Sequence, residues 1–245
     1  MGPPPRQHGL ARWLCKFGLM SRTDAEKCVR AGRVRLNGAV MLDPERPASP
    51  ERDQILLDGK PLRPARKLYI ALHKPVGCIT TAHDPEGRRT AYDLLPEHAG
   101  NLQAVGRLDA DSSGLLLFTN DPEFAARITD AAGKVEKVYE ARVKGRVEAR
   151  DARKFEIGVV LDGKPTLPAK CRVIEAGDHS SRVEVIIREG RNRQVRRMWD
   201  ALGFHVIELH RTRIGPISLG GLPTGHTRVV REFERATLLV DPHLT

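Results

Sequence analysis

In "LARWLCKFG", Leu10, Trp13, Leu14 and Phe17 recur at i, i+3, i+4 and i+7, the spacing that lines one face of a helix, while Arg12 and Lys16 fall elsewhere. Gly18 is placed to close that helix. Ser21 as N-cap, with Asp24 three residues on, announces a second short helix that ends at Ala31-Gly32. The period then changes from helical to extended. Val34 and Leu36 alternate with Arg33 and Arg35, and Asn37-Gly38, the strongest short hairpin signal, sends the chain back through Val40. Two helices and a hairpin make one small unit. The stretch 58–67, "DGKPLRPARK", has no apolar period and reads as a linker, so domains are expected over residues 8–60 and 68–245. Residues 1–7 are expected to form a disordered tip.

"KLYIALHKPVG" begins a new apolar run, a strand stopped by Pro75 and Gly77. "TAYDLLP" is helix-like. In "LQAVGRLDADSSGLLLFTND", residues 102–105 enter as a strand and 115–118 leave as a buried one. The charged stretch between them is then a tight loop held by two core elements, where chemistry is usually sited. Asp121 and Pro122 supply an N-cap and a first-turn proline for "PEFAARI". "KVYEARVKG" and "SRVEVIIREG" read as strands, "EARDARKFEIG" and "NRQVRRMWDALG" as helices. Without the regular alternation of a parallel βαβ array, the larger domain is expected to be α+β: a mainly antiparallel mixed sheet flanked by helices.

Composition narrows the partners. The chain has 245 residues, 40% of them apolar, enough for one medium and one small core. Its 41 Lys and Arg against 31 Asp and Glu leave a net charge of +10, which attracts polyanions and makes nucleic acid the leading partner. Residues 1–66 hold 13 bases and 7 acids, so the front unit carries most of the surplus. No stretch approaches the roughly 20 apolar residues of a membrane-spanning helix. "MGPPPRQHG" lacks an apolar signal core, so a cytoplasmic protein is expected, by default a monomer. Cys15, Cys28, Cys78 and Cys171 have no CxxC spacing and read as reduced, structural thiols. No G-x-G occurs, and no Gly-Lys pair is followed by Ser or Thr, so neither a dinucleotide fold nor a P-loop is indicated and no cofactor is expected.

Three readings compete for the loop 106–114. "DADSSG" opens like a calcium-binding EF-hand loop, but Asn120 stands where the bidentate Glu belongs and the flanks read as strands. Asp109 could serve structure alone, capping a turn and pairing with Arg107. Catalysis is the third. Elsewhere, His205 and His210 in "HVIELHRTRIG" point to opposite faces of a strand without a third ligand, so no metal is expected. Arg211 and Arg213, on one face of that strand, read as part of a basic track for nucleic acid. So do Arg12, Lys16, Arg22, Arg30, Arg33 and Arg35 as a cluster, although each alone reads as solvated surface. In a helical "QVRRMWDALG", Val195, Met198, Trp199 and Leu202 form the apolar stripe, leaving Arg193 and Arg197 on another face, open to nucleic acid.

The front segment "SRTDAEKCVRAGRVRLNG" resembles the RNA-binding domain first known from ribosomal protein S-four, with Gly9-Leu10 where Arg-Leu often opens such domains. The likeness covers about residues 8 to 56 and implies recognition of structured RNA by shape and phosphate contacts. "GRLDADSSGLLLFTND", "EKVYEARVKG" and "EGRNRQVRRMWDALGFHVIELHRTRIG" resemble, in order, the motifs of ribosomal RNA pseudouridine synthases of the RsuA/RluB type, from about Leu68 to Thr227. His73 precedes Lys74-Pro75 where Asn is common. The resemblance implies a cofactor-independent isomerisation of one flipped uridine, large-subunit rRNA being favoured over small-subunit rRNA. It makes Asp109 the catalytic carboxylate, Tyr139 the residue stacked on the base, and Arg107 the residue that fills the vacated place or clamps a phosphate. It makes Arg196 the cation whose planar fork binds Asp109 and keeps it charged, since burial alone would favour the neutral acid. A non-catalytic rRNA-binding assembly factor on the same fold is the alternative; a methyltransferase is disfavoured by the missing glycine-rich loop.

Overall fold

The structure is a computed structural model that describes residues 7–130 and 135–239; six of the seven residues expected as a disordered tip lie outside the described residues. Two compact units emerge, one within Met1–Leu68 together with Ala99–Gln103 and Thr119–Glu123, the other from the remainder.

In the first unit, α1 (Leu10–Lys16) buries Leu10, Trp13 and Leu14 as its spacing requires, and the Trp13 indole donates to the Ala48 carbonyl at 2.8 Å. Helix α2 (Arg22–Arg30) starts where Ser21 Oγ accepts the Asp24 amide at 3.2 Å, satisfying an N-terminal N–H that the helix cannot. Strands β1 (Val34–Leu36) and β2 (Ala39–Met41) form the hairpin, with Asn37 and Gly38 at φ 51° and 87°. The chain then departs from the linker reading. Strand β3 (Ile55–Leu57) pairs with β1, and β4 (Lys60–Pro61) returns along β3, completing a four-stranded sheet. Asp58-Gly59, at φ 50° and 77°, is a second left-handed turn of the same chemistry as Asn37-Gly38.

The second unit is built on β5 (Tyr69–Lys74), β6 (Gln103–Val105), β7 (Ser113–Thr119), α3 (Pro122–Thr129), β8 (Lys137–Lys144), α4 (Ala149–Arg153), β9 (Lys170–Glu175), β10 (Ser180–Ile187), α5 (Gln194–Ala201), β11 (Val206–Ile214), β12 (Ile217–Ser218), β13 (Thr227–Val229) and α6 (Glu232–Leu239). Its nine-stranded sheet runs β9-β10-β8-β11-β7-β5-β13, with β6 beside β7 and β12 beside β11. The pairs β9–β10, β10–β8 and β8–β11 are antiparallel, and β11 meets β7 in parallel at His210↔Ser113 and Arg211↔Gly114.

Strand β7 explains its own unbroken apolar run: Leu115 through Phe118 are all at most 1% exposed, because both faces of this strand are covered. One face joins Tyr69, Ala71, Val105, Phe124, Ile128 and Ile214 in the core, and Phe118 on the other meets Tyr92 at 5.0 Å. Two helix expectations shrink. "TAYDLLP" makes only a 3-10 turn, Tyr92–Leu94, since Pro96 holds Leu95 extended. Helix α4 stops at Arg153, after which the chain turns to bury Phe155 against Trp199, 4.7 Å between rings.

Candidate active site

The loop between β6 and β7 is pinned through its backbone. Lys74, at the end of β5 and fully buried, donates from Nζ to the carbonyls of Asp109 (3.0 Å), Ser112 (2.8 Å) and Pro75 (3.0 Å). Thr80 Oγ1 donates to the Leu108 carbonyl at 2.7 Å and accepts its amide at 3.2 Å. Ser112 N–H closes the turn on Asp109 O at 3.1 Å. The Asp109 side chain, 30% exposed, is thereby carried on a fixed backbone frame.

The cation beside it is Arg193, not Arg196. Arg193 Nη1 stands 3.3 Å from Asp109 Oδ2, and its two Nη atoms donate to the Asp111 carboxylate at 3.2 and 2.9 Å. Arg193 is the residue before the first turn of α5, in the left-handed conformation (φ 47°, ψ 33°). The helical count that put it on one face with Arg197 therefore does not apply, and Arg197 pairs instead with Asp162. Arg196, 6% exposed, grips backbone: Nη2 donates to Asp111 O and Nη1 to Val206 O, both at 2.8 Å, and Nε lies 3.4 Å from Asp111 Oδ2. The two-pronged Arg196–Asp109 pair is not formed; both groups converge on the same loop through Asp111. The Arg193 hydrogen bonds, helped by the Arg196 charge and opposed by burial, hold the Asp111 carboxyl below the usual range, while burial pulls the Arg196 guanidinium below its ordinary value.

A cavity of about 600 Å³ opens beside this loop, lined among others by Arg107, Asp109, Lys137, Tyr139, Arg193 and Arg211. Arg107 is exposed and has no ion-pair partner among the described residues. Tyr139 on β8 is buried, and Arg211 lies opposite it on β11. Arg211 and Arg213 do not share a face. A register shift pairs Arg213 with Val138 and Arg211 with Tyr139, so one extra residue of β11, Thr212, sends the two arginines to opposite sides. Arg213 meets Glu136 at 3.4 Å on one side, and Arg211, only 4% exposed, faces the cavity on the other. His205 lies 3.7 Å from Asp200, and His210 bonds Ser113 Oγ at 2.8 Å.

In the first unit, Arg22 and Arg30 both pair with Glu26, and Arg33 takes Asp58 with two hydrogen bonds at 2.8 and 2.6 Å. Lys16 stands over the Trp13 ring. Arg12 and Arg35 are exposed with no carboxylate partner among the described residues. Sequence reasoning passed over Lys74, Lys137 and Asp111. Lys74 did carry a signal: a lone lysine closing an otherwise apolar strand must find partners for its ammonium.

Residues 68–201 match the RNA pseudouridylate synthase family. The chain belongs to that family. A synthase from Aquifex aeolicus, described as an uncharacterized RNA pseudouridine synthase, is 37% identical over 228 residues, covering 93% of this chain and 92% of the relative. The ribosomal large subunit pseudouridine synthase B of Bacillus subtilis is 36% identical over 236 residues, covering 95% and 96%. A crystal structure of a pseudouridylate synthase superposes with a TM-score of 0.68 at 32% identity, covering 94% of this chain and 99% of that one. The matched segment of the synthase contains Lys74, Asp109, Tyr139 and Arg196, whereas the part of the first unit before residue 68 lies outside it. Among the described residues, no helix is long and apolar enough to cross a membrane.

Proposed function

We propose that the protein converts one uridine of ribosomal RNA, in the large subunit, to pseudouridine. In this reading Asp109 is the catalytic carboxylate, Tyr139 contacts the flipped base, and Arg107 fills the place it leaves or holds a phosphate. Arg196 acts through the loop backbone. The first unit is a docking module of the ribosomal protein S-four type, using Arg12, Lys16, Arg22, Arg30, Arg33 and Arg35, while Arg193, Arg197 and Arg213 extend the basic track. The protein works as a cytoplasmic monomer, consistent with four unpaired cysteines.

The observation that carries the reading is a partly exposed carboxylate held by a rigid backbone frame at the edge of a cavity large enough for a nucleotide, between an unpaired Arg107 and a buried Tyr139. Isomerisation breaks the bond from ribose to N1 of uracil, turns the ring and joins C5 to the sugar. No electrons are gained or lost, and the chemistry asks of the protein a positioned anion and a closed site. The Bacillus subtilis relative's name, which specifies the large ribosomal subunit, supports the choice of RNA.

Ribosomal RNA labelled with tritium at C5 of uridine releases label to water when C5 joins the sugar. The parent protein is expected to release one equivalent per target site on unmodified large-subunit RNA, and Asp109→Asn none. Equal release by both, or none by either on any rRNA fragment, overturns the proposal.

A further inference from the structure

Resting on that reading of the site, we propose that Lys137 and Arg211, with Tyr139 between them, form an electrostatic floor that receives the negative charge appearing on the uracil ring when its bond to ribose breaks. Lys137 and Tyr139 alternate onto one face of β8, and the shifted register of β11 brings Arg211 opposite Tyr139. All three line the cavity that Asp109 borders.

Both cations are buried, and neither is held by a carboxylate in direct contact among the described residues. Lys137 is 8% exposed, and its Nζ reaches only the carbonyls of Val135 at 3.4 Å and Arg188 at 3.5 Å. Arg211 donates Nε to Leu115 O at 2.8 Å and Nη1 to Tyr139 Oη at 3.3 Å, and its buried Nη2 has no hydrogen-bond partner. Neither forms an ion pair with a carboxylate among the described residues. Burial, and then the Arg211 charge, push the Lys137 ammonium below its ordinary pKa, against a smaller opposing pull from the Asp130 carboxylate. Two desolvated, mutually repelling cations are costly to hold in an empty site, and an arriving anion relieves both costs together.

The chemistry selects the anion. A phosphate carries its charge before reaction and is served by the exposed Arg107 and Arg193. Heterolysis of the N1–C1′ bond instead leaves the electron pair on the ring, where it spreads over N1, O2 and O4. Turning the ring by half a revolution about its N3–C6 axis puts C5 where N1 was and exchanges O2 with O4. Two cations flanking one phenol therefore meet an oxygen in either orientation. Because a guanidinium has no acceptor, the Arg211–Tyr139 contact uses a phenol lone pair and leaves the hydroxyl proton free for a ring oxygen. The bond then forms from C5 to C1′, the C5 proton leaves to solvent, and N1 takes a proton, so product and substrate are isomers.

The test compares single-turnover loss of substrate nucleoside in rRNA fragments carrying uridine or 5-fluorouridine at the target, with Lys137→Met and Arg211→Lys beside the parent. Removing one donor at a developing oxyanion typically slows reaction about 10²- to 10³-fold, and that deficit is expected with uridine. Fluorine stabilises the ring anion, so the deficit should shrink at least about tenfold with 5-fluorouridine, with RNA affinity near the parental value and the melting temperature of Lys137→Met no lower than the parent's. Equal deficits on both RNAs mark a merely structural role, and a rate loss matched by lost RNA affinity marks a phosphate subsite; either overturns the proposal. Should Asp109→Asn match the parent on uridine, the functional reading itself fails, which these variants alone do not decide.

Discussion

Replacing Lys74 by Met tests the frame that aims Asp109. The side chain length is kept, and three charge-assisted hydrogen bonds to the carbonyls of Pro75, Asp109 and Ser112 are lost. Bonds to a charged group contribute about 1.5–3 kcal/mol each, roughly 5–9 kcal/mol together. Against this, the variant no longer buries an ammonium that is 0% exposed, which returns several kcal/mol. A net loss of about 2–3 kcal/mol remains, and at about 2–4 °C per kcal/mol for a chain of this size the melting temperature should fall by roughly 4–12 °C. The effect on rate should be larger than stability alone implies. Two of the three carbonyls bracket the Asp109 turn, and a displacement of about 1 Å at a reacting group can cost on the order of 10²-fold. Differential scanning calorimetry gives the first quantity, and single-turnover tritium release well below the melting temperature gives the second. A variant that melts lower yet reacts within about twofold of the parent would refute the claim that this ammonium positions the catalytic loop.

Three further outcomes follow from the same contacts. Asp111→Asn should lower stability at pH 7 by no more than about 1 kcal/mol, because its carboxylate is 48% exposed. The folded Asp111 pKa is depressed, so the parent's advantage is present above the unfolded value near 3.9 and vanishes as pH falls through the folded one; urea titrations from pH 7 to 2 check this. Gly114→Ala should cost more than about 3 kcal/mol, seen in the urea midpoint, since a Cβ there would lie 2.3 Å from Arg211 O at a backbone φ of 108°. In RNA-binding titrations, Arg35→Met should reduce the slope of log affinity against log salt by about 1, and Arg33→Met by less, because Arg33 must first leave Asp58. Equal slopes for the two would remove the distinction between paired and unpaired arginines.

Local pattern was enough wherever a single element decides its own fate. The 3.6-residue stripe of Leu10, Trp13 and Leu14, the Ser21 cap, the Asn37-Gly38 turn and the unbroken run 115–118 each state their element in a few consecutive residues, and the structure forms them there. The loop bearing Asp109 was legible for the same reason: charge between two apolar strands has nowhere to go but a turn. Family motifs identified the neighbourhood of Arg196 and Tyr139.

Which cation meets which acid was not legible. Arg193 and Arg196 stand three residues apart in an arginine-rich run, and only a left-handed residue before α5 turns the former to Asp109 and Asp111 and leaves the latter for the loop backbone. One extra residue in β11 likewise separates Arg211 from Arg213, because alternation along a strand reverses after a bulge that no composition announces. Lys74 and Lys137 find their surroundings through strand pairing and through segments 35 and 51 residues away. Sequence specifies elements through neighbours a few residues apart, whereas a site is assembled from distant ones, and there pairing register and backbone handedness choose the partners.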